Sequence, residues 1–292
     1  VKPAVFDYHS PSELKEALHL LNEFGYDAKI MSGGQSLIPM MNMRLARPKV
    51  VIDINQIKEL NYIRINNSVI QIGGLTRHYQ IEESKEIEQV CRLITEGMKL
   101  IGHSQIRSRG TIGGSVVHAD PTAELPVMLS TLGATITLAS AEGQRTVTTE
   151  EFFMTYLTTT IEMNEILVSV EIPIPPANTG YAIDEFTLRK GDFAIVLAAA
   201  SVTLDVEGKV KAARLALGGV DGVPVLLDEV TDGLIGKIPD QNLIAECCMG
   251  IGDMVDPEPD IHASAEYRRD LCITYAKRVL ELAAKRALKQ QP

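Results

Sequence analysis

Two glycine pairs flanked by hydroxyl side chains constrain this chain more than any other feature: Ser32-Gly33-Gly34-Gln35-Ser36 and Thr111-Ile112-Gly113-Gly114-Ser115. Glycine lacks a Cβ, so such a pair permits positive φ and lets main-chain N–H groups approach an anion without obstruction. Ser32, Ser36, Thr111 and Ser115 add hydroxyls suited to phosphate oxygens. A single pair reads as a tight turn. Two pairs, each beside a stretch of regular structure, read together as a diphosphate cradle. No Gly-x-Gly-x-x-Gly opens a helix after the first strand and no Gly-x-x-x-x-Gly-Lys-Ser/Thr occurs, which argues against Rossmann and P-loop folds.

At 292 residues, 45% of them hydrophobic, the chain is long enough for two domains, each with its own core. A net charge of −10 opposes attraction to a phosphate backbone, so nucleic acid is not an expected partner. No apolar run approaches the roughly 18–20 residues that span a bilayer. Val1-Lys2-Pro3-Ala4-Val5 is too short and too mixed for a signal peptide, so a cytoplasmic protein without a transmembrane segment is expected. Cys91, Cys247, Cys248 and Cys272 form no Cys-x-x-Cys and have no histidine at zinc-ligand spacing, so they read as buried free thiols and no metal site is expected in the chain.

Local patterns give an α+β chain. Ser10-Pro11-Ser12-Glu13 predicts a capping box ahead of a helix carrying Leu14, Ala17, Leu18 and Leu21 on one face and ending at Gly25. Strands are predicted at 27–31 and 49–54, with the apolar Leu37-Ile38-Pro39-Met40-Met41 between them distorted by its proline. Further strands are expected at 69–75 and 134–139, and a helix at 89–101 closed by Gly102. Glu165 to Ile172 alternates strictly, predicting one apolar face, and Pro173, Pro175 and Pro176 then mark a domain boundary. Beyond it lie strands at 194–206 and 210–217 and a long amphipathic helix at about 263–287.

His118-Ala119-Asp120-Pro121-Thr122-Ala123-Glu124 puts an imidazole and two carboxylates beside the second glycine motif. His118 suits a structural hydrogen bond, contact with ribose or phosphate, or acid–base work. Asp120 suits the cap of the next helix, and Glu124 its first turn. Arg107 and Arg109 precede the motif, where they can neutralise a diphosphate or pair with a neighbouring subunit. Arg189-Lys190-Gly191-Asp192-Phe193-Ala194 brings cations, a turn and an aromatic ring to the start of a strand in the second domain. No Ser-His-Asp or Cys-His nucleophile arrangement is present.

Taken in order, Gly33-Gly34-Gln35-Ser36-Leu37-Ile38-Pro39, Gln105-Ile106-Arg107-Ser108-Arg109-Gly110-Thr111-Ile112-Gly113-Gly114, His118-Ala119-Asp120-Pro121 and Gly191-Asp192-Phe193-Ala194 resemble the FAD-carrying medium subunit of molybdenum hydroxylases, including carbon monoxide dehydrogenase, xanthine dehydrogenase and heteroaromatic hydroxylases. The resemblance covers essentially the whole chain. It implies a two-part FAD domain of the vanillyl-alcohol-oxidase (PCMH) type over residues 1–176, with subdomains of about 1–57 and 58–176. A small C-terminal domain over 177–292 follows, with a three-stranded antiparallel sheet and helices.

The resemblance also assigns cofactor contact to Ser32, Gly33, Gly34, Gln35, Ser36, Thr111, Gly113, Gly114 and Ser115, with Met31, Leu37 and Ile38 flanking the first motif and Ile112 inside the second. Ile101, Glu124 and Leu167 match FAD-contacting places, Asp120 joins them through its motif, and Phe193 matches an aromatic position beside the isoalloxazine. Ser115 stands where many members have Asn, Gln35 where some have His, and Lys190 or Arg189 where several place a lysine.

By the same resemblance, a large partner subunit carries the molybdenum cofactor and a small one carries two [2Fe–2S] clusters, in a dimer of heterotrimers. Electrons pass through FAD in this chain to an external acceptor, and no side-chain nucleophile is expected in the cleft. The lack of a nicotinamide fingerprint favours a quinone, oxygen or a dye-like acceptor over NAD. The substrate, whether carbon monoxide, a purine, an N-heterocycle or an aldehyde, is chosen outside this chain. Two alternatives carry other functions: a self-contained flavin oxidase or reductase of the same fold, and a non-redox module that binds a nucleotide diphosphate.

Overall fold

The structure, a computed structural model, describes residues 2–289. Val1, where the leader reading begins, lies outside the described residues. The chain opens with a lobe of three parallel strands, β1 (Asp7–His9), β2 (Ala28–Met31) and β3 (Val50–Asp53), in the order β1-β3-β2. Helix α1 (Leu14–Phe24) covers it with Ala17, Leu18 and Leu21, which recur at helical spacing and are buried. The predicted capping box does not form: Glu13 occupies the N-cap without a side-chain cap, and Pro11 is buried ahead of the helix rather than opening it. Helix α2 (Leu37–Asn42) is regular despite Pro39. The proline is its third residue, where the missing N–H has no intrahelical acceptor in any case.

A second lobe is built on a five-stranded sheet. Its strands are β4 (Ile63–Ile65), β5 (Val69–Gly73), β6 (Thr135–Ser140), β7 (Gly143–Thr148) and, after a small hairpin of β8 (Phe153–Thr155) and β9 (Thr158–Thr159), β10 (Ile166–Pro173). The order is β4-β5-β10-β6-β7, with β10 antiparallel to both neighbours. The alternation in β10 predicts one apolar face, but residues 166–170 are buried on both. Ile166 and Val168 pack into the first lobe's core with Val50 and Ile52, while Leu167, Val170 and Ile172 pack into a larger core with Ile70, Ile136 and Met128. A register shift between Leu167 and Ser169 accompanies this sharing of one strand between two cores.

Short helices fill the crossover between β5 and β6: α3 (His78–Glu82), α4 (Lys85–Val90), α5 (Arg92–Met98), α6 (Ser104–Arg107), α7 (Ile112–His118) and α8 (Glu124–Leu132). The helix expected at 89–101 is thus two, broken at Cys91, whose φ of −152° leaves the helical region. The break turns Ile87 from one helix and Leu93 and Ile94 from the next into the same core. Helix α9 (Thr149–Phe152) carries a reciprocal Thr148–Glu151 capping box.

After residues 174–178 the chain forms a further sheet of β11 (Thr179–Phe186), β12 (Val196–Leu204) and β13 (Val210–Gly218), paired antiparallel in sequence. The two-residue β14 (Val225–Leu226) adds a fourth strand to the expected three. Helices α10 (Asp228–Asp232), α11 (Gln241–Cys248) and α12 (Ala265–Leu288) follow. Helix α12 lays Ala276, Val279, Leu280, Ala283 and Ala287 across β11 and β12. At Gly180 a Cβ would strike the backbone of Ala283 and Ala287, so only glycine fits there. All four cysteines are free, with Cys91, Cys248 and Cys272 buried and Cys247, against expectation, half-buried. No described helix is long and apolar enough to cross a membrane.

Candidate functional site

The first glycine motif leaves the end of β2 as an irregular, half-buried loop and runs into α2. Gly34 sits at φ +70°, a conformation that costs an L side chain about 1–2 kcal/mol. The N–H groups of Gly33, Gly34, Gln35, Ser36 and Leu37 donate to no acceptor among the described residues. Gln35 Nε2 donates to the Gly33 carbonyl at 3.0 Å and stiffens the loop. Met31 and Ile38 flank Gly34, with the Met31 sulfur 3.7 Å and Ile38 Cγ1 3.2 Å from where a Cβ would stand. A run of five unpaired donors on a half-buried loop suits an anion with several oxygens.

The second motif is not a turn but the start of α7. Thr111 is its N-cap, and the amides expected to face a ligand are engaged within the protein. Ile112 N–H donates to the Thr76 carbonyl, Gly113 N–H to that of Gly74 and Gly114 N–H to Thr111 Oγ1 at 3.1 Å. Gly113 is glycine because α7 lies against β5's end: its Cβ would stand 2.7 Å from the Gly74 oxygen. Leu167 sits behind the same Gly74.

The two motifs touch each other. Ser32 Oγ and Thr111 Oγ1 are 2.6 Å apart, and a Cβ on Gly33 would stand 2.5 Å from the Arg109 carbonyl oxygen. Ser32 and Thr111 therefore bond one another, while among the described residues the Ser36 and Ser115 side chains have no hydrogen-bond partner and remain available. The first motif supplies amides and the Ser36 hydroxyl, and the second supplies the Ser115 hydroxyl and a backing wall. That donor set fits the pyrophosphate of a dinucleotide.

The other predicted residues divide. Ile101 is buried in the larger core. Asp120 does not cap α8, whose N-cap is Ala123; its Oδ1 accepts from Thr122 N–H and Oγ1 at 2.9 and 2.6 Å in a turn ahead of the helix. Arg107 is held by Glu82 at 2.6 Å and donates to the carbonyls of Ile101 and Gly102, so its charge is neutralised within the chain. Lys190 and Phe193 are exposed on the segment joining β11 to β12. Gly191, at φ +86°, seats that segment against His103 and Gly102, just ahead of the second motif. His118 ends α7, and its side chain has no hydrogen-bond partner among the described residues. Sequence reasoning passed over Asn55 and Arg77, whose side chains join the two motifs; Asn55 lies two residues beyond β3 and Arg77 at the N-cap of α3, and no local pattern marks either.

Glu124, in the first turn of α8, is 7% exposed. Burial pushes its carboxyl up to about 8, aided by the nearby Glu185 and Asp120 carboxylates. An acid whose folded pKa exceeds its ordinary 4.5 stabilises the fold fully below pH 4.5 and loses that stability as pH rises towards 8. The neutral isostere in Glu124→Gln removes this slope. Its apoprotein is expected to melt about 5 °C or more above wild type at pH 8.5, with the difference vanishing near pH 4.5. Parallel melting curves at both pH values check it, and an equal difference at both contradicts it.

Residues 4–175 match the model of the FAD binding domain in molybdopterin dehydrogenase, and residues 181–283 that of the CO dehydrogenase flavoprotein C-terminal domain. Subunit alpha of the 6-hydroxypseudooxynicotine dehydrogenase complex of Paenarthrobacter nicotinovorans is 40% identical over 98% of this chain and 97% of its own. Caffeine dehydrogenase subunit beta of Pseudomonas sp. (strain CBB1) is 35% identical over the same shares. A solved carbon monoxide dehydrogenase from Hydrogenophaga pseudoflava, lacking the Mo-pyranopterin moiety of its molybdenum cofactor, superposes at a TM-score of 0.95 and 33% identity over 98% of this chain and 99% of that one. Two family models in the right order and full-length relatives place this chain in the family of FAD-binding medium subunits of molybdenum-hydroxylase oxidoreductases.

Proposed function

We propose that this chain takes electrons from the [2Fe–2S] clusters of a small partner subunit and passes them to an external acceptor, while a large partner subunit oxidises the substrate at a molybdenum cofactor. The observation that carries the reading is the run of unpaired amides from Gly33 to Leu37 set against the hydroxyl-bearing start of α7. When bound, FAD supplies the exchange of single electrons from iron–sulfur centres for pairs delivered to an acceptor.

The protein's part is to hold and shield. Amides 33–37 with Ser36 and Ser115 bind the pyrophosphate; Met31 and Ile38 bound the loop. Lys190 and Phe193, carried by the segment that Gly191 seats on His103, are the residues that would contact the isoalloxazine. On this reading the FAD domain is 1–176 and the flavoprotein C-terminal domain 177–292. The assembly is a cytoplasmic dimer of heterotrimers. Different substrates in the names of relatives with nearly the whole chain in common support a substrate chosen elsewhere.

Reconstitution tests this. The apoprotein is expected to take up one FAD per chain with a structured flavin spectrum, to prefer FAD over ADP, and to turn over no organic substrate alone. Failure to take up FAD, or turnover by the isolated chain, contradicts it.

A further inference from the structure

We propose that Arg77 and Asn55 form a clamp that sets the spacing of the two glycine motifs, making them positioning residues for the FAD pyrophosphate. The inference rests on the flavin reading above. It concerns how tightly the cofactor is held.

The clamp is a continuous chain of hydrogen bonds. Asn55, just after β3, donates from Nδ2 to the Ser32 carbonyl at 2.7 Å, at the base of the first motif. Its position is set by Asp53 Oδ1, which accepts from Asn55 N–H at 2.9 Å and from Nδ2 at 2.6 Å. Asp53 is itself tied to β1 through the Tyr8 hydroxyl at 2.6 Å. Arg77, at the N-cap of α3, donates from Nη2 to Asn55 Oδ1 at 2.5 Å and from Nη1 to the Arg109 carbonyl. That carbonyl is the one against which Gly33 packs. One guanidinium thus joins the first lobe's loop to the second lobe's loop across the line where they meet.

Only a forked cation does this. Arginine's planar head reaches two acceptors at a fixed angle, whereas a lysine ammonium on a flexible stem serves as a point charge. Arg77 is half-buried, and its backbone is bridged to Thr111, so the head has little freedom. Burial, and after it repulsion from the Arg109 charge, hold Arg77 below the usual guanidinium range against the pull of Tyr79 and Asp53, and Arg109 makes no ion pair among the described residues. An anion between the motifs relieves that repulsion. The same guanidinium that fixes the geometry therefore favours the ligand electrostatically.

The test uses the full chain as wild type, Arg77→Lys, Asn55→Ala and the double variant. FAD affinity is read by fluorescence titration of the apoprotein, the pyrophosphate environment by ³¹P NMR, and the scaffold by apoprotein melting. Each single change is expected to weaken FAD at least tenfold and to move the ³¹P signals. The double is expected to weaken it little more than the worse single, because both break one link. Apoprotein melting is expected to fall by no more than about 5 °C. If Arg77→Lys does not fold, Asn55→Ala decides alone, since it breaks the link without touching the charge. Variants that bind FAD as tightly as wild type with unmoved ³¹P signals overturn the clamp, as do fully additive losses. A wild-type chain that takes up no FAD overturns the flavin reading instead, and the clamp falls with it.

Discussion

Replacing Gly33 with valine is expected to abolish stable flavin binding, lowering FAD affinity at least about a hundredfold, or roughly 2.7 kcal/mol. The reason is not access to the ligand. A Cβ at position 33 would stand 2.5 Å from the Arg109 oxygen and 2.8 Å from Gly110 Cα, both backbone atoms with no rotamer to change. The motifs must part, and the Ser32–Thr111 hydroxyl pair at 2.6 Å breaks with them. Gly34→Ala provides the comparison. There the cost is chiefly the positive φ of +70°, about 1–2 kcal/mol, and the nearest neighbour is the movable Ile38 side chain at 3.2 Å. Flavin content of the two purified variants by absorbance checks the ranking, and a Gly33→Val protein with full flavin refutes it.

Arg268→Met is expected to destabilise the C-terminal sheet-and-helix unit by about 3–5 kcal/mol. Arg268 is the fourth residue of α12 and is 5% exposed. From Nη1 it donates to the carbonyls of Ile195 and Gly219, and from Nη2 to Asp260 at 2.8 Å. Methionine fills much of the volume but leaves two main-chain carbonyls without this donor, each costing on the order of 1–3 kcal/mol. Arg268→Lys is expected to recover only part, because an ammonium cannot serve both carbonyls and Asp260 from one fixed fork. Urea unfolding followed by far-ultraviolet circular dichroism measures the loss. An unchanged midpoint for Arg268→Met shows that the bonds contribute nothing net.

Much of the architecture was legible locally. The α1 stripe of Ala17, Leu18 and Leu21, the stop at Gly25 and the long α12 follow from periodicity and glycine chemistry, which act over a few residues. The failures share a cause. Ser10 and Glu13 spell a capping box, yet burial of Pro11 moves the helix start past them. The run at 89–101 reads as one helix, yet packing around Cys91 breaks it. Strand β10 alternates like a half-exposed strand, yet two separate cores claim its two faces. In each, a neighbour distant in sequence outweighed a local preference.

The candidate site divides in the same way. Two hydroxyl-flanked glycine pairs and the absence of the common nucleotide fingerprints pointed by their chemistry to a diphosphate, and FAD and the family followed from the resemblance of the ordered motifs, which the family models match. Which glycine pair offers amides and which offers a wall was decided only by folding. A main-chain N–H is available or engaged according to what lies opposite it: the carbonyls of Gly74 and Thr76 accept from the second pair, while among the described residues no acceptor takes the amides of the first. Asn55 and Arg77 gained their place likewise, since residues 22 apart meet only where the two lobes close on one another.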